Sequence, residues 1–139
     1  MNQELRTQRL QPGAAAGRNV FRLEGEYWTI VYDGAVCRLR DTAGLHYLAY
    51  LLRRPTDKVA AVELVRAART PSGRTAQGRL ATTHQTELAR VKATRAIRTA
   101  MQHIGTHDAP LIEHLRATIR TGVSCSYAPD PRLPVEWEF

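Results

Sequence analysis

The segment 87–104 constrains the fold of this chain most, because helical spacing divides its side chains between an apolar face and a cationic face. The apolar face collects Ala89, Ala93, Ala96, Ile97, Ala100, Met101 and Ile104. The polar face collects Lys92, Thr94, Arg95, Arg98, Thr99, Gln102 and His103. We therefore expect a long helix that packs one face against a core and presents the other to solvent or to a ligand.

The polar face carries donors that can grip phosphates and contact base edges, and it contains no carboxylate. Charge runs on helices are often merely solvated. A purely solvated face, however, usually intersperses acids that form i,i+4 pairs, and here only Glu87 at the start of the segment could do so. The pattern favours a helix that faces nucleic acid.

The composition agrees with that interpretation and leaves others open. The chain has 139 residues, which fits one domain, and 20 Lys and Arg against 13 Asp and Glu give a net charge of +7. All of these cations except Lys58 and Lys92 are arginine, whose planar fork suits phosphate and guanine, although GC-rich coding produces the same bias. An acidic protein or an anionic membrane surface could also attract such a chain.

The compartment follows from what the sequence lacks. No signal peptide or long apolar segment is recognisable, so we expect a cytoplasmic, nucleoid-associated protein without a membrane partner. In that reducing location Cys37 and Cys125 are expected to be buried free thiols.

Local patterns predict an α+β chain. Residues 1–19 are expected to form a flexible basic arm, followed by a domain over 20–139 with an insertion at about 69–86. Strands are predicted at 20–23, 26–32 and 36–39, with a turn at Asp33-Gly34, and two further strands at 120–127 and 135–139. Helices are predicted at 45–52, with Asp41 or Thr42 as cap, and at 59–68, at 87–104 with Gly105 as its stop, and at 110–119.

No motif indicates an enzyme. The sequence lacks GxGxxG, GxxxxGKS and GxSxG patterns. His103, His107 and His114 are not accompanied by a CxxC or HExxH spacing that would support a zinc site. We expect no catalytic residue, no metal and no cofactor.

The order of three strands, two helices, a basic helix and a terminal hairpin resembles the winged-helix domain of response-regulator-type transcription factors. The matching stretches are 36–40, 45–55, 58–59 and 63–65. Over residues 20–137 the chain is more closely similar to a winged-helix-like module of actinobacterial regulatory proteins that often accompanies large ATPase-type or signalling regulators. The strings that carry this similarity are 25–34, 45–55, 89–101 and 119–131.

The resemblance implies a DNA-binding transcriptional regulator, a winged helix-turn-helix with an N-terminal antiparallel sheet, in which 87–104 reads the major groove and 120–127 forms the wing. Bases would be contacted by Arg95, Arg98 and Gln102. Phosphates would be contacted by Arg90, Arg120 and the insertion residues Arg69, Arg74 and Arg79. Further DNA contacts are expected from Lys92, Thr94, Thr99 and Thr121.

Partners follow from the same resemblance. Double-stranded DNA is the expected ligand, and a homodimer or a partner regulator is expected because a single small reader covers few base pairs. The alternative is a protein-interaction module without direct DNA binding, with Tyr47, Tyr50 and Leu51 as its apolar patch. An RNA-processing factor fits the charge, but the chain lacks an aromatic-rich RNA motif.

Overall fold

The computed structural model describes residues 19–69, 82–133 and 135–139. Within them the chain is α+β, with a four-stranded sheet, a three-stranded sheet and four helices. The flexible arm expected at 1–19 lies outside the described residues except for Asn19. The same holds for 70–81 of the expected insertion, including Arg74 and Arg79, and the side chain of Arg69 is likewise not described.

The larger sheet is built from the three N-terminal strands that the sequence predicts. These are β1 (Asn19–Glu24), β2 (Tyr27–Tyr32) and β3 (Ala35–Arg40), paired antiparallel. The turn between β2 and β3 places Asp33 and Gly34 at φ of 51° and 87°, as a tight hairpin requires. Strand alternation buries one face against the helices, formed by Phe21, Trp28, Ile30, Cys37 and Leu39.

Helices and short strands follow in the order α1 (Ala43–Leu52), β4 (Val59–Ala60), α2 (Ala61–Arg69), α3 (Thr83–His107) and α4 (Ala109–Thr118). The second helix was predicted to begin at Val59, but residues 59–60 instead pair with the hairpin that follows α4. Thr42 occupies the N-cap of α1 as expected, yet its side chain forms no capping hydrogen bond. Asp41 instead accepts a 2.8 Å hydrogen bond from Trp28 Nε1.

The central helix α3 is longer than predicted at both ends. It begins at Thr83 because Thr82 and Gln85 form a reciprocal capping box, with both hydrogen bonds at 3.0 Å. Gly105 does not stop it, which corrects the prediction. The glycine lies inside the helix, where an added Cβ would be 3.3 Å from the Ile112 side chain, and the helix ends at His107.

One buried residue separates α3 from α4. Asp108 is the C-cap of α3 and the N-cap of α4, and its Oδ1 accepts a 3.1 Å hydrogen bond from the Leu111 amide. Its Oδ2 is buried without a hydrogen-bond partner among the described residues. Burial accordingly raises the pKa of this carboxyl, and nearby Asp33 raises it further.

The smaller sheet has the order β4-β6-β5, where β5 is Ile119–Arg120 and β6 is Ser124–Tyr127. The single strand predicted over 120–127 is instead two short strands paired as a hairpin, which agrees with the hairpin that the resemblance implies at this position. The last predicted strand is shorter than expected: β7 (Trp137–Glu138) adds parallel to β1, giving the larger sheet the order β3-β2-β1-β7.

Three side chains connect the two sheets. Trp137 Nε1 donates to the Tyr127 hydroxyl at 3.2 Å, and that hydroxyl is 2.8 Å from His114 Nε2. Since the tryptophan can only donate, the tyrosine hydroxyl is free to donate to the histidine. Burial lowers the pKa of His114, which favours the neutral ring that this arrangement needs.

Helix α1 crosses α3 at unusually close range. A Cβ added at Gly44 would lie 2.0 Å from the Ala96 carbonyl oxygen and 2.9 Å from the Ala100 Cβ. Glycine at this position, opposite two alanines, lets the two backbones meet. This crossing positions the candidate site, because it sets the start of α1 beside the exposed face of α3.

Candidate nucleic-acid interface

The α3 cationic face is formed by Lys92, Arg95, Arg98, Thr99 and Gln102. All five are exposed. The opposite side of the helix is in the core through Ala89, Ala93, Ile97, Ala100 and Ile104. The division of α3 into a buried apolar face and an exposed polar face therefore follows the predicted helical spacing.

Helix α4 does not cover this face. It packs with Leu111, Ile112 and Leu115 buried, and Ile112 faces α3 at Gly105. The solvent-facing side of α4 includes Glu113 and Arg116. The five residues of the α3 cationic face thus remain accessible beside it.

The cations on this face differ from those on the larger sheet. On the sheet, Arg22 lies 3.9 Å from Glu24 and Arg40 lies 3.8 Å from Glu26, so those charges are paired. Within the described part of the chain, Lys92, Arg95 and Arg98 have no carboxylate within ion-pair distance. One face of α3 therefore carries three positive charges that no nearby carboxylate of the described residues compensates.

Two expected contact residues are not available in the way predicted. The Thr94 Oγ1 atom is buried and has no hydrogen-bond partner among the described residues, so the expectation of an exposed Thr94 is wrong. Arg90 is engaged by Glu87 through a forked ion pair, with Nε to Oε1 at 3.1 Å. This hydrogen bonding lowers the pKa of Glu87, and it occupies an arginine expected to hold a phosphate.

The expected wing residues lie on another element. Arg120 is exposed on β5, with its guanidinium 3.3 Å from the Ala117 carbonyl oxygen, and Thr121 is half-buried in the following turn. Helix α4 separates these residues from α3 along the chain. They belong to the hairpin and not to the α3 cationic face.

A groove adjoins the cationic face where α1 begins. Its volume is about 570 Å³, and we call it the α1–α3 groove. Its apolar lining comes from Gly44, Leu88, Val91 and Ala96. Its polar lining includes Thr42, Glu87, Lys92, Arg95 and Thr99, so three residues of the cationic face also border the groove.

Leu88 is the residue that the sequence pattern did not single out. It is 56% exposed, although it is a large apolar side chain on the solvent side of α3. Its position is seven residues before Arg95 and eleven before Thr99, which places it on the same helical face. This spacing is the sequence signal that could have placed Leu88 beside the cationic residues.

The apolar patch expected for a protein-interaction module is not on the surface. Tyr47 and Leu51 are buried in the core, and Tyr50 is half-buried beneath the guanidinium of Arg54 at 3.7 Å from its ring centre. The pattern of α1 was misjudged because its apolar residues occupy more than one face, as in a helix enclosed by its neighbours.

The described residues were also compared with the requirements of thiol, metal and membrane-spanning sites. Cys37 and Cys125 are buried and free, as predicted, and burial raises the pKa of Cys37 to about 11. No group of three His, Cys, Asp or Glu side chains in ranges 19–69, 82–133 and 135–139 is placed to hold a metal ion. Of the helices described, none combines the length and the apolar character needed to cross a bilayer.

Comparison with protein-family models, with curated proteins and with solved structures gives no match to this chain. Its function has therefore to be inferred from the geometry and charge of the α3 cationic face and the groove beside it.

Proposed function

We propose that this chain is a DNA-binding transcriptional regulator of winged-helix type that contacts double-stranded DNA through the α3 cationic face. The observation that carries the proposal is the exposure of Lys92, Arg95 and Arg98 on successive turns, with no carboxylate near enough to pair with them among the described residues. Unpaired cations release counterions when they meet phosphates, which favours association with DNA.

The side chains on this face also suit base recognition. Arginine can donate two hydrogen bonds to guanine and glutamine can bond adenine, which gives Arg95, Arg98 and Gln102 a role in sequence reading. An α-helix with its side chains is about 10–12 Å wide, close to the width of the major groove. From Lys92 to Gln102 the helix extends about 15 Å, enough to follow several base pairs.

The connectivity supports the winged-helix assignment. A short strand between the first two helices, β4, pairs with the second strand of a hairpin that follows the last helix, and a sheet precedes them all. By position, however, the helix directly before the hairpin is α4, which exposes Arg116 together with Glu113. Charge favours α3 as the reading helix, and a test must separate the two.

Selection from a random duplex pool, followed by binding isotherms on the best site and on random DNA, provides that test. We expect Arg95→Ala and Arg98→Ala each to cost about 1–3 kcal/mol on the best site and much less on random DNA. Arg132→Ala is the matched control, because this arginine lies in the turn after β6 and pairs with Asp130.

The outcomes separate the helices. If Arg116→Ala removes the discrimination while the two α3 variants bind as the wild type does, α4 is the reader and our assignment of α3 fails. If none of these variants changes the affinity for DNA, and if retention of the protein on a DNA column does not depend on salt concentration, the proposal of DNA binding fails altogether.

The wing has its own test. Arg120→Ala should weaken binding to every DNA sequence about equally and reduce the salt slope by about one unit, because a phosphate contact releases a counterion without reading a base. A loss restricted to particular base pairs would contradict the wing assignment. A dimer or a partner regulator and a nucleoid location belong to the same proposal.

A protein-interaction module is the second candidate. It is favoured by Leu88, which is exposed beside Val91 in the α1–α3 groove. Apolar surface at this place would not contribute to binding DNA phosphates, but it can bind an apolar side chain of another protein. This observation replaces the patch on α1 that the structure excludes.

A further inference from the structure

The α1–α3 groove combines two features that DNA binding does not explain together. Leu88 and Val91 expose apolar surface on the first turns of α3, and Gly44 and Ala96 continue that surface into the groove. Apolar surface that is bordered by polar side chains and lies in a groove is typical of a site that binds another protein. Lys92 and Arg95 lie along the same groove and provide positive charge beside the strip.

We propose that the α1–α3 groove binds an acidic amphipathic helix from a partner protein. Such a segment would place its apolar side chains on Leu88 and Val91, and its carboxylates against Lys92 and Arg95. The groove follows α3 from Glu87 to Thr99, a distance of about 18 Å, which matches about three turns of helix. Recognition of an apolar helix face in a groove follows the i, i+3, i+4, i+7 pattern.

Charge decides for an acidic partner over a second copy of this chain. The only acid that lines the groove in the described residues is Glu87, and Arg90 already binds it. Two copies facing each other here would oppose Lys92 and Arg95 with the same cations, which is unfavourable. The net charge of +7 further attracts an acidic segment and repels an identical chain.

This binding activity is separate from DNA recognition, although Lys92 and Arg95 serve both. Leu88 and Val91 would contact the peptide and contribute little to DNA. Arg98 and Gln102 lie outside the groove lining and would contact DNA alone. The partner and DNA would therefore compete for α3, since both need the side of the helix that carries Arg95.

The test uses the full chain and a fluorescein-labelled peptide of about fourteen residues, with leucines at i, i+3, i+7 and i+10 and glutamates at most other positions. A peptide with the same composition in scrambled order, and one with lysine in place of glutamate, are the controls. We expect saturable, salt-sensitive binding of the patterned acidic peptide in the micromolar range, and much weaker binding of both controls.

Three variants assign the binding to the groove. Leu88→Asp should weaken peptide binding at least about tenfold. Leu88→Gln, which adds no negative charge beside Lys92, should also weaken peptide binding but leave DNA binding within about twofold, whereas Arg98→Ala should weaken DNA binding and leave peptide binding nearly unchanged. Both residues are exposed, so thermal unfolding should be nearly unchanged, which keeps the comparison interpretable.

Several results would overturn the proposal. Equal binding of the scrambled peptide, absence of saturation up to about 1 mM, or unchanged affinity in Leu88→Asp would each show that the groove does not recognise such a helix. Sedimentation that reveals a dimer abolished by Leu88→Asp would assign the groove to self-association instead. None of these outcomes requires DNA binding to succeed or fail.

Discussion

Replacing Gly44 by alanine should destabilise the fold, because this glycine lies where α1 closely approaches the backbone of α3. The added Cβ would lie 2.0 Å from the Ala96 carbonyl oxygen and 2.7 Å from the Ala96 carbonyl carbon. These are backbone atoms of a helix, so they cannot turn aside as a flexible side chain would. One helix must move by about 1.4 Å to restore ordinary contact.

The magnitude follows from two opposing effects. Overpacking a close-packed site costs about 1–3 kcal/mol, and a clash with backbone belongs at the upper end of that range. Alanine regains up to about 1 kcal/mol of helix propensity over glycine, and less so near the start of a helix. We expect Gly44→Ala to lose about 2 kcal/mol in free energy of unfolding.

Gly105→Ala is the matched control, because it makes the same chemical change in the last turn of α3. Its Cβ would meet the Ile112 side chain at 3.3 Å, a contact that a small side-chain shift can relieve. Urea unfolding followed by circular dichroism measures both variants. A Gly44→Ala protein within about 0.5 kcal/mol of the wild type, or one more stable than Gly105→Ala, would refute the close crossing.

Further predictions concern the core and the titratable groups. Ile97→Ala should cost about 2–5 kcal/mol in urea unfolding, because its side chain is fully buried on α3, and a loss below about 1 kcal/mol would contradict that placement. Since burial raises the folded-state pKa of Asp108, its contribution to stability is present at low pH and is lost as pH rises through that pKa. Asp108→Asn should therefore gain stability relative to the wild type between about pH 3.5 and pH 7 in parallel melts, and an unchanged difference would count against a buried carboxyl. Cys37 and Cys125 should be alkylated far more slowly in the native protein than in urea, and a reductant should leave the unfolding midpoint unchanged. A large fall of the midpoint on reduction would show that the two thiols are paired.

Periodicity recovered most of the secondary structure because the relevant signals are local. The alternation in β1 to β3 and the turn at Asp33-Gly34 depend on near neighbours, as does the division of α3 into two faces. Boundaries failed where a local stop signal competed with tertiary packing. Gly105 reads as a helix end, yet its lack of a Cβ serves close contact with Ile112.

The candidate site was only partly accessible to sequence reasoning. The helical spacing separates Lys92, Arg95 and Arg98 from the core, and this division is correct. The groove was not predictable, because it depends on the approach of Gly44 to α3, which no single helix encodes. Arg90 was predicted to contact DNA because the assignment of residues to helix faces does not show the ion pair that Arg90 forms with Glu87.

Asp108 connects α3 to α4, and it therefore determines how freely the α3 cationic face and the β5–β6 hairpin can move relative to each other. From Thr83 to Arg120, this residue alone lies outside a helix or strand, since α4 passes directly into β5. No loop is left there to be ordered when a ligand arrives, so little conformational entropy is lost on binding. The angle between α3 and the hairpin is set when the protein folds. A ligand that contacts both elements must therefore match this angle, because binding does not change it.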